Sequence, residues 1–538
     1  MKRLLLAGLL LLAAEAFAKP PKLTLFISVD SMGTDIFQRM KPRLKSGLSQ
    51  LSSQGAFFPA LRYEYAEAVT AAGHATLSTG ANPWRHGIVG NRILNRQTGK
   101  EDSILSDPNH PVLEAPPGKD DVSPENLIAE TLSDKVRLFT QARGKAVAVA
   151  GKARAAIAMG GHLGQAWWFH EGVGKFVTGT YYTKEFPAWV KGFNEKNVPA
   201  SFFGKDWALS APEKDYVGQD DRPFESDWYA MGRTFPHKMT GGLPSPGPQF
   251  YSALTCTPYL NDLIVQFAKA AIDGEQLGKD DVPDLLSVSF SATDRVYHLY
   301  GPYSWEAQDA MLRLDKAIGE LVAAAEKAAG KGNVLVVLSA DHGGAAVSEE
   351  WAEAGLPSTR LNPATLQQGL GKELQAHFGQ ADLVSDIEET DLYLNQKSIA
   401  DHKLDGASVR RAAAQWLLQQ PDVEVAVAAD DLAVQTEMMG FLKALRRGYY
   451  PGRSGDVLFL LKPWRILTDE PAGTSHGTPY SYDAQVPLIL WGKGVKAGVY
   501  AEEHPVTDVA PTVATLLEMG APAMAEGKPI AEALSSGK

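Results

Sequence analysis

Three short apolar runs, far apart in a chain of 538 residues, each lead to an acidic side chain. They are 22–29 before Asp30, 285–290 before Asp294 and 334–340 before Asp341. A run of this length that is apolar throughout is typical of a strand buried on both faces of a parallel sheet. Ligands of open α/β proteins bind at the carboxyl edge of such a sheet. The pattern therefore predicts an α/β fold with these acidic residues at one functional edge.

Helical periodicity connects the second and third of these runs. Segment 305–329 places four apolar residues at helical spacing, namely Met311, Leu314, Ile318 and Leu321. A strand, a helix and a strand in this order form a parallel-sheet unit. Similar reasoning predicts helices at 35–54, 71–78 and 507–519, and a further strand at 486–492.

Two long segments, at about 160–260 and about 345–473, do not follow this alternation. The first is rich in aromatic residues, proline and glycine, and we expect it to cover the functional edge. The second contains a helix and a strand of its own. Because candidate ligand residues extend from Asp30 to His476, both segments are interpreted as insertions in a single domain spanning 19–538. The predicted fold is a mostly parallel central sheet flanked by helices, with inserted cap subdomains.

The amino terminus has the pattern of a secretory signal peptide, with Lys2 and Arg3 before an apolar run and a small-residue ending at Ala18. The run is shorter than the roughly 20 residues that a membrane-spanning helix needs. We therefore expect cleavage after Ala18 and a periplasmic or secreted protein with no stable membrane anchor. Cys256 is the single cysteine, so no internal disulfide can form. A net charge of −11 argues against a nucleic-acid partner.

Residue types that bind metals recur near the predicted strand ends. Asp294 and His298 are four residues apart, Asp341 and His342 are adjacent, and His476 lies in a loop of small residues. Carboxylate and imidazole together suit zinc, whereas an all-oxygen set would favour magnesium or calcium. The combination predicts a two-metal site.

Thr70 is the candidate nucleophile, because it directly precedes the helix predicted at 71–78. The amide donors and the dipole at a helix N-terminus favour a bound phosphate. An N-cap role for Thr70 is equally consistent with this position. A threonine hydroxyl is a weak nucleophile near neutral pH, and coordination to a metal would activate it.

Several motifs, in this order along the chain, resemble those of the alkaline phosphatase superfamily, and within it the PafA-type periplasmic phosphate monoesterases with a threonine nucleophile. The resemblance covers about residues 22–520 and rests on 29–32, 70–74, 86–91, 151–155, 294–298, 339–344 and 475–477.

The resemblance implies a role for each site residue. One zinc ion would be held by Asp294, His298 and His476, and a second by Asp30, Asp341 and His342 together with the Thr70 oxygen. Asn91, Lys152 and Arg154 would contact the phosphoryl oxygens. Thr70 would attack phosphorus to form a phosphothreonine, which water then hydrolyses to release inorganic phosphate.

Lys152 and Arg154 favour a monoester, because a monoester has more charged, unesterified oxygens than a diester. We therefore expect a zinc-dependent alkaline phosphatase, a monomer or weak oligomer, that acts on small-molecule phosphate monoesters.

A phosphodiesterase or nucleotide pyrophosphatase of the same superfamily is the alternative. A sulfatase would need a Cys or Ser nucleophile in a motif that Thr70 lacks, and the signal peptide disfavours a cytoplasmic phosphoglycerate mutase. A metal- or phosphate-binding protein without catalysis is a further possibility.

Overall fold

A computed structural model describes residues 19–116, 118, 120–240, 242–434 and 438–535. The predicted signal peptide at 1–18 lies outside these ranges. None of the helices in the described part of the chain has the length and apolar character needed to cross a membrane.

The strands of the described residues alternate with helices along most of the chain. In chain order they are β1 (Leu23–Val29), β2 (Ala56–Arg62), β3 (Arg92–Asn95), β4 (Lys100–Ser103), β5 (Ala146–Ala150), β6 (Gln165–His170), β7 (Lys175–Val177), β8 (Asp284–Phe290), β9 (Val334–Ser339), β10 (Thr359–Leu361), β11 (Val384–Glu388), β12 (Asp391–Leu394), β13 (Val423–Ala428), β14 (Val457–Leu461), β15 (Arg465–Leu467), β16 (Gln485–Gly492), β17 (Gly498–Val499) and β18 (His504–Pro505).

The α-helices are numbered in the same way. They are α1 (Thr34–Met40), α2 (Gly47–Gln54), α3 (Thr70–Thr79), α4 (Pro83–His86), α5 (Leu132–Phe139), α6 (Ala153–Gly160), α7 (Ala188–Glu195), α8 (Pro248–Thr255), α9 (Tyr259–Gly274), α10 (Ala292–Tyr300), α11 (Trp305–Ala329), α12 (Ser348–Glu353), α13 (Pro363–Phe378), α14 (Gln396–Asp401), α15 (Gly406–Leu418), α16 (Ala429–Val434), α17 (Gly440–Gly448), α18 (Ser481–Ala484) and α19 (Val509–Leu516).

The central sheet has the strand order β17-β2-β16-β9-β1-β8-β5-β6-β7, with β18 paired to β2. The five neighbouring strands from β9 to β6 are parallel. Towards the edges, β16 and β7 run antiparallel to their neighbours. The predicted α/β fold with a mostly parallel sheet is therefore confirmed.

Two groups of helices bury this sheet. Helix α11 contacts both α2 and α9 in one group, and α5 and α6 pack on the sheet in the other, where α3 and α19 join them. All seven residues of β1 and all seven of β8 are buried, as continuous apolar runs in a parallel sheet require.

The helix predicted at 35–54 is interrupted in the structure. Helix α1 ends at Met40, a short 3-10 helix follows, and α2 begins only at Gly47. Pro42 breaks the chain of backbone hydrogen bonds. The Asp315 carboxylate then accepts hydrogen bonds from the backbone N–H groups that start α2, among them those of Lys45 and Leu48. The acceptor comes from α11, so no local pattern could have indicated the new start.

The helix predicted at 507–519 is shorter, because a 3-10 turn precedes α19 and the helix ends at Leu516. The other predicted helices and strands match α3, α11, β1, β8, β9 and β16 closely.

The first predicted insertion begins later than residue 160. Strands β6 and β7 belong to the central sheet, so the irregular part starts only after Val177. The aromatic run Trp167–Phe169 lies inside β6 and is buried on both faces, which hides the period-two alternation of an ordinary strand.

The second predicted insertion has its own sheet, of order β11-β12-β14-β13, and its own apolar core. Leu370, Leu392, Val409 and Phe459 are among its fully or almost fully buried residues. Strands β10 and β15 pair in parallel, which brings the two ends of this segment together. We call residues 359–467 the cap subdomain.

Candidate active site

The carboxyl ends of four adjacent strands meet at one edge of the central sheet. Ser28 of β1 lies level with both Ser289 of β8 and Ser339 of β9, so these strands end at the same height. Asp30, Asp294 and Asp341 follow them. Lys152 follows β5, the neighbour of β8 on the other side. The sheet therefore brings together side chains that are up to 311 residues apart in the sequence.

One group of candidate metal ligands consists of Asp30, Asp341 and His342. Their ligand atoms all lie within 4.8 Å of one another. His342 Nε2 is 3.4 Å from Asp30 Oδ1 and 3.4 Å from Asp341 Oδ2. All three side chains are buried. This is the set that the sequence predicted for one metal.

A second group is centred on Asp294. Its Oδ1 atom lies 3.3 Å from His298 Nε2 and 3.4 Å from His476 Nε2. The set whose ligand atoms all lie within 4.8 Å of one another contains Asp294, His476 and also His342. The imidazole rings of His342 and His476 stack at 3.6 Å. The predicted set of Asp294, His298 and His476 is assembled around Asp294, and His342 lies between the two groups.

The three imidazoles are oriented by backbone carbonyl groups. Nδ1 of His342 is 2.7 Å from Gly343 O, Nδ1 of His298 is 2.8 Å from Thr474 O, and Nδ1 of His476 is 3.2 Å from Ala68 O. A carbonyl only accepts, so each Nδ1 carries a proton, and Nε2 has a lone pair when the ring is neutral. This arrangement is typical of histidines that bind a metal through Nε2.

Several buried polar atoms of these residues have no hydrogen-bond partner among the described residues. They are Asp30 Oδ1, Asp294 Oδ1, Asp341 Oδ2 and His342 Nε2. Burying unpaired acceptors is costly, and bound cations would satisfy all of them. The donor set of carboxylate oxygens and imidazole nitrogens fits divalent metals.

The other oxygen of Asp341 is fixed by the backbone. Oδ1 accepts hydrogen bonds from Ser31 N and His342 N, both at 3.1 Å. Ser31 adopts a left-handed conformation with φ of 66°, and its hydroxyl donates to Gly343 O. Because one carboxylate oxygen is held in this way, the other faces the candidate metal position.

Thr70 is the first residue of α3, and its side chain is buried. Gly73, one turn later, packs against the backbone of Asp341, where an added Cβ would lie only 2.0 Å from the carbonyl oxygen. The glycine therefore permits the close approach that places Thr70 beside the ligand residues.

His74 is a site residue that the sequence analysis did not identify. Its Nδ1 atom lies 2.8 Å from Thr70 O and 3.2 Å from Asp341 Oδ2, and its Nε2 atom lies 2.9 Å from Ser289 Oγ. The ring is buried. Its spacing of four residues from Thr70 on one helix face was the available signal.

Asn91 lies beside the start of α3. Its Oδ1 atom accepts a hydrogen bond from Ala71 N at 3.0 Å. An amide side chain has one acceptor end and one donor end, so this contact leaves the NH₂ group of Asn91 free to donate.

Lys152 contacts both groups of candidate ligands and the candidate nucleophile. Its Nζ atom lies 2.7 Å from Asp30 Oδ2, 2.5 Å from Asp294 Oδ2 and 3.3 Å from Thr70 Oγ1. The side chain is only 4% exposed. The ammonium group is thus at the centre of the site.

The charged side chains of the site shift one another's pKa values. Burial alone would raise the pKa of Asp30, but the Lys152 ammonium and His342 together outweigh it, so the pKa lies well below its usual range. Burial likewise opposes ionisation of Asp294, and His298 and Lys152 together hold its pKa well below normal. Both carboxyl groups are therefore charged at neutral pH.

The two stacked imidazoles are shifted in opposite directions. Burial disfavours the charged form of His342, yet the carboxylates of Asp341 and Asp30 raise its pKa to about 9. Burial and the charge of His342 lower the pKa of His476 to about 3. The rings are too close for both to be positively charged.

A cleft of about 570 Å³ opens beside Lys152. Asn91, Lys152 and Arg154 line one part of it. Trp168, Phe169, Glu171 and Arg295 line a further part. Arg154 Nε is buried without an acceptor among the described residues. The predicted phosphate-contacting residues therefore share one accessible cavity.

Comparisons with known proteins agree with this geometry. A model of the type I phosphodiesterase/nucleotide pyrophosphatase family matches residues 24–477. The chain is 34% identical to alkaline phosphatase PafA of Elizabethkingia meningoseptica, covering 96% of this chain and 94% of that protein. It is 33% identical to a calcium-transporting ATPase of Myroides odoratus, covering 97% and 96%. It is 32% identical to alkaline phosphatase PhoV of Synechococcus elongatus, covering 96% and 93%.

A solved structure shows the same fold at high similarity. The crystal structure of wild-type alkaline phosphatase PafA superposes with a TM-score of 0.90 at 33% identity, covering 96% of this chain and 99% of that one. The similarity extends over both segments that interrupt the strand–helix alternation.

Proposed function

This chain belongs to the type I phosphodiesterase/nucleotide pyrophosphatase family of the alkaline phosphatase superfamily, and we infer that it is an alkaline phosphatase, a hydrolase of phosphate monoesters. Two of the three relatives are alkaline phosphatases by name, and the third is named as an ATPase, an enzyme that also transfers a phosphoryl group to water.

The position of Lys152 is the observation that carries this proposal. One ammonium group reaches the Thr70 hydroxyl at 3.3 Å and a carboxylate of each ligand group at 2.7 and 2.5 Å. A phosphoryl group in contact with Thr70 would lie against this ammonium, the Asn91 amide and the Arg154 guanidinium. These donors match the charged oxygens of a monoester dianion.

Thr70 is proposed as the nucleophile. Its Oγ1 attacks phosphorus in line with the departing alcohol, so one P–O bond forms and the ester P–O bond breaks. The product is a phosphothreonine and a free alcohol. Water then cleaves the new P–O bond, which releases inorganic phosphate and restores the hydroxyl. When bound, two divalent cations would supply the positive charge that activates the Thr70 hydroxyl and stabilises both the entering and the leaving oxygen.

The residues that would hold these cations are Asp30, Asp341 and His342 on one side and Asp294, His298 and His476 on the other. We propose zinc for both positions, because three of the six ligands are imidazoles. Metal analysis of the purified protein by mass spectrometry tests this, with about two zinc ions per chain expected.

Further features of the proposal come from the sequence alone. We propose that residues 1–18 are removed as a signal peptide and that the mature chain, 19–538, is one catalytic domain, exported as a monomer or weak oligomer. Amino-terminal sequencing of the protein from its natural host should begin at Lys19. A first residue of Met1 would contradict export by cleavage.

Hydrolysis of phosphate diesters is the alternative, since the description of the family names phosphodiesterases. Both reactions use the same metals and nucleophile. Lys152 and Arg154 favour the monoester, because a diester leaves fewer charged oxygens for two cationic side chains to contact. Turnover of an aryl monoester and of the corresponding aryl methyl diester, measured on one preparation, separates the two functions.

Substitution of the nucleophile tests the mechanism. We expect Thr70→Ala to lose at least about three orders of magnitude in kcat for an aryl phosphate, because no oxygen is left to form the covalent intermediate. Thr79→Ala, at the other end of the same helix, removes a hydroxyl whose hydrogen bonds among the described residues are to Ala75 O and from Ala81 N, and this variant should retain activity. Equal activity of Thr70→Ala and the wild type would contradict the proposal.

A further inference from the structure

The cleft that contains the proposed phosphoryl contacts is also lined by an ion pair, Arg295 with Glu171, that the hydrolysis itself does not need. We propose that Arg295 selects phosphate monoesters whose alcohol portion carries a second anionic group, a carboxylate or another phosphate. This inference rests on the proposed function, because it concerns the alcohol portion of the same substrate.

Arg295 reaches the cleft through the topology of the sheet. Strands β8, β5 and β6 are parallel neighbours. Arg295 comes after β8, Lys152 and Arg154 come after β5, and Glu171 comes directly after β6. The carboxyl ends of these strands therefore place three cationic side chains and one carboxylate along a single wall.

Most of the hydrogen-bonding capacity of Arg295 is uncommitted. Its Nη2 atom donates to Glu171 Oε1 at 2.8 Å, and the two side chains are 32% and 30% exposed. Among the described residues this is its one side-chain hydrogen bond, whereas a guanidinium has five N–H donors. A guanidinium that is partly exposed in a cleft suits bidentate binding of a carboxylate or phosphate.

A second guanidinium stands close enough to repel the first. Burial lowers the pKa of Arg154, and the charge of Arg295 lowers it further. A phosphoryl dianion would neutralise Lys152 and Arg154, and a second anion in the same cleft would neutralise Arg295. A cationic side chain beyond those proposed to contact the phosphoryl group thus suits a substrate with a second anionic group.

Other charged side chains that line the cleft already have partners, so Arg295 is available to the alcohol portion of a substrate. Arg92 is already paired with Glu101 at 2.5 Å, and His170 faces Asp120 at 3.7 Å. Trp168 and Phe169 also line the cleft, although each side chain is almost fully buried. The alcohol portion of a substrate bound in this cleft can present an acidic group to Arg295.

Three aryl phosphates of matched size test the proposal on the metal-loaded enzyme. The 4-carboxyphenyl ester carries the second anion, the 4-carbamoylphenyl ester is its neutral counterpart, and the 4-(aminomethyl)phenyl ester is cationic. A bisphosphate, 1,3-propanediol bisphosphate, compared with propyl phosphate distinguishes a second phosphate from a carboxylate.

For Arg295→Gln we expect the ratio of kcat/KM for the carboxylate ester over the neutral ester to fall about tenfold, mainly through KM, as the loss of one charge-assisted hydrogen bond implies. For Glu171→Gln the same ratio should rise, because Arg295 loses its internal partner. Arg233→Gln breaks an ion pair of similar length outside this cleft, that with Asp221 at 3.2 Å, and should leave the ratio at the wild-type value.

Binding measurements separate recognition from turnover. Calorimetry with 4-carboxybenzyl phosphonate and its carbamoyl analogue should show the same change of ratio in Kd for Arg295→Gln. The inference is wrong if Arg295→Gln keeps the wild-type preference for both the carboxylate ester and the bisphosphate over their counterparts. It is also wrong if the wild type favours the aminomethyl ester. If the wild type hydrolyses none of the monoesters, the proposed function itself fails.

Discussion

At the residue scale, backbone groups orient the candidate metal ligands. The imidazoles of His298, His342 and His476 are held through Nδ1 by backbone carbonyls. The Asp341 carboxylate is held through Oδ1 by two backbone N–H groups. Because backbone groups fix one atom of each side chain, the other atom is preorganised for a metal.

The pKa of His342 predicts how metal binding depends on pH. With a pKa of about 9 in the metal-free protein, His342 carries a proton at neutral pH and must lose it before Nε2 can bind a cation. Apparent metal affinity should therefore rise about tenfold per pH unit up to about 9 and level off above it.

Competition with a chelator of known affinity, measured between about pH 6 and about pH 10, gives this curve. An affinity that stays constant between about pH 7 and about pH 9 would show that no proton is displaced from the site.

The two cationic side chains beside the proposed phosphoryl position predict substrate discrimination. We expect Lys152→Ala combined with Arg154→Ala to reduce kcat/KM for a monoester by several orders of magnitude, since each charged contact in a dry site contributes about 2–4 kcal/mol. The loss for a diester should be much smaller, because it presents fewer charged oxygens.

Steady-state kinetics on both substrates with the same preparation gives this comparison. Equal losses on the two substrates would argue against the assignment of these residues to the monoester oxygens.

At the element scale, the decisive contact is that of α3 with the end of β9. Thr70 is placed beside Asp341 because Gly73 allows the helix to touch the strand backbone. The close approach also lets His74 contact Thr70 O and the Asp341 carboxylate. One small residue thus determines the distance between the proposed nucleophile and a proposed metal ligand.

Substitution of Gly73 tests this contact. In Gly73→Ala the new Cβ would lie 2.0 Å from Asp341 O, so the helix has to move. We expect a destabilisation of at least about 1–3 kcal/mol together with a large loss of kcat. Denaturant unfolding and kinetics on the same variant measure both effects.

A matched control is available in another helix. Gly192 of α7 has no atom within 4 Å of an added Cβ, so Gly192→Ala should stabilise the protein by about 0.5–1 kcal/mol. Similar behaviour of the two variants would mean that the contact of Gly73 with Asp341 has no special role.

At the scale of the whole molecule, the site joins parts of the chain that could not otherwise be neighbours. His476 follows the cap subdomain, whose ends are brought together by the pairing of β10 with β15. Three buried carboxylates face one another there with Lys152 as the ammonium group between two of them. Bound cations should therefore contribute to the stability of the entire fold.

Removal of the metals should lower the melting temperature. A ligand present at about one hundred times its Kd stabilises the folded state by about 2.7 kcal/mol for each site. We expect a chelator to lower Tm and abolish activity, and added zinc to restore both. Scanning calorimetry measures Tm after zinc is added back, with magnesium as the comparison. An unchanged Tm after complete removal of metal would contradict the two-metal site.

The chain by itself determined the main strands, the long helix α11 and the residue types of the site, because continuous apolar runs, helical periodicity and the Asp and His residues next to them are local features. The break between α1 and α2 was not predictable, since the acceptor that starts α2 is Asp315 of a distant helix. The start of the first insertion was misplaced because burial on both faces hides a strand such as β6.

Only the tertiary structure decided which strands are neighbours, and with that which side chains meet. The position of His342 between the two ligand groups, the contact of Lys152 with both, and the pair of Arg295 with Glu171 all follow from the order β9-β1-β8-β5-β6. Strand order is set by the packing of helices and strands that are remote in sequence, and no local pattern encodes it.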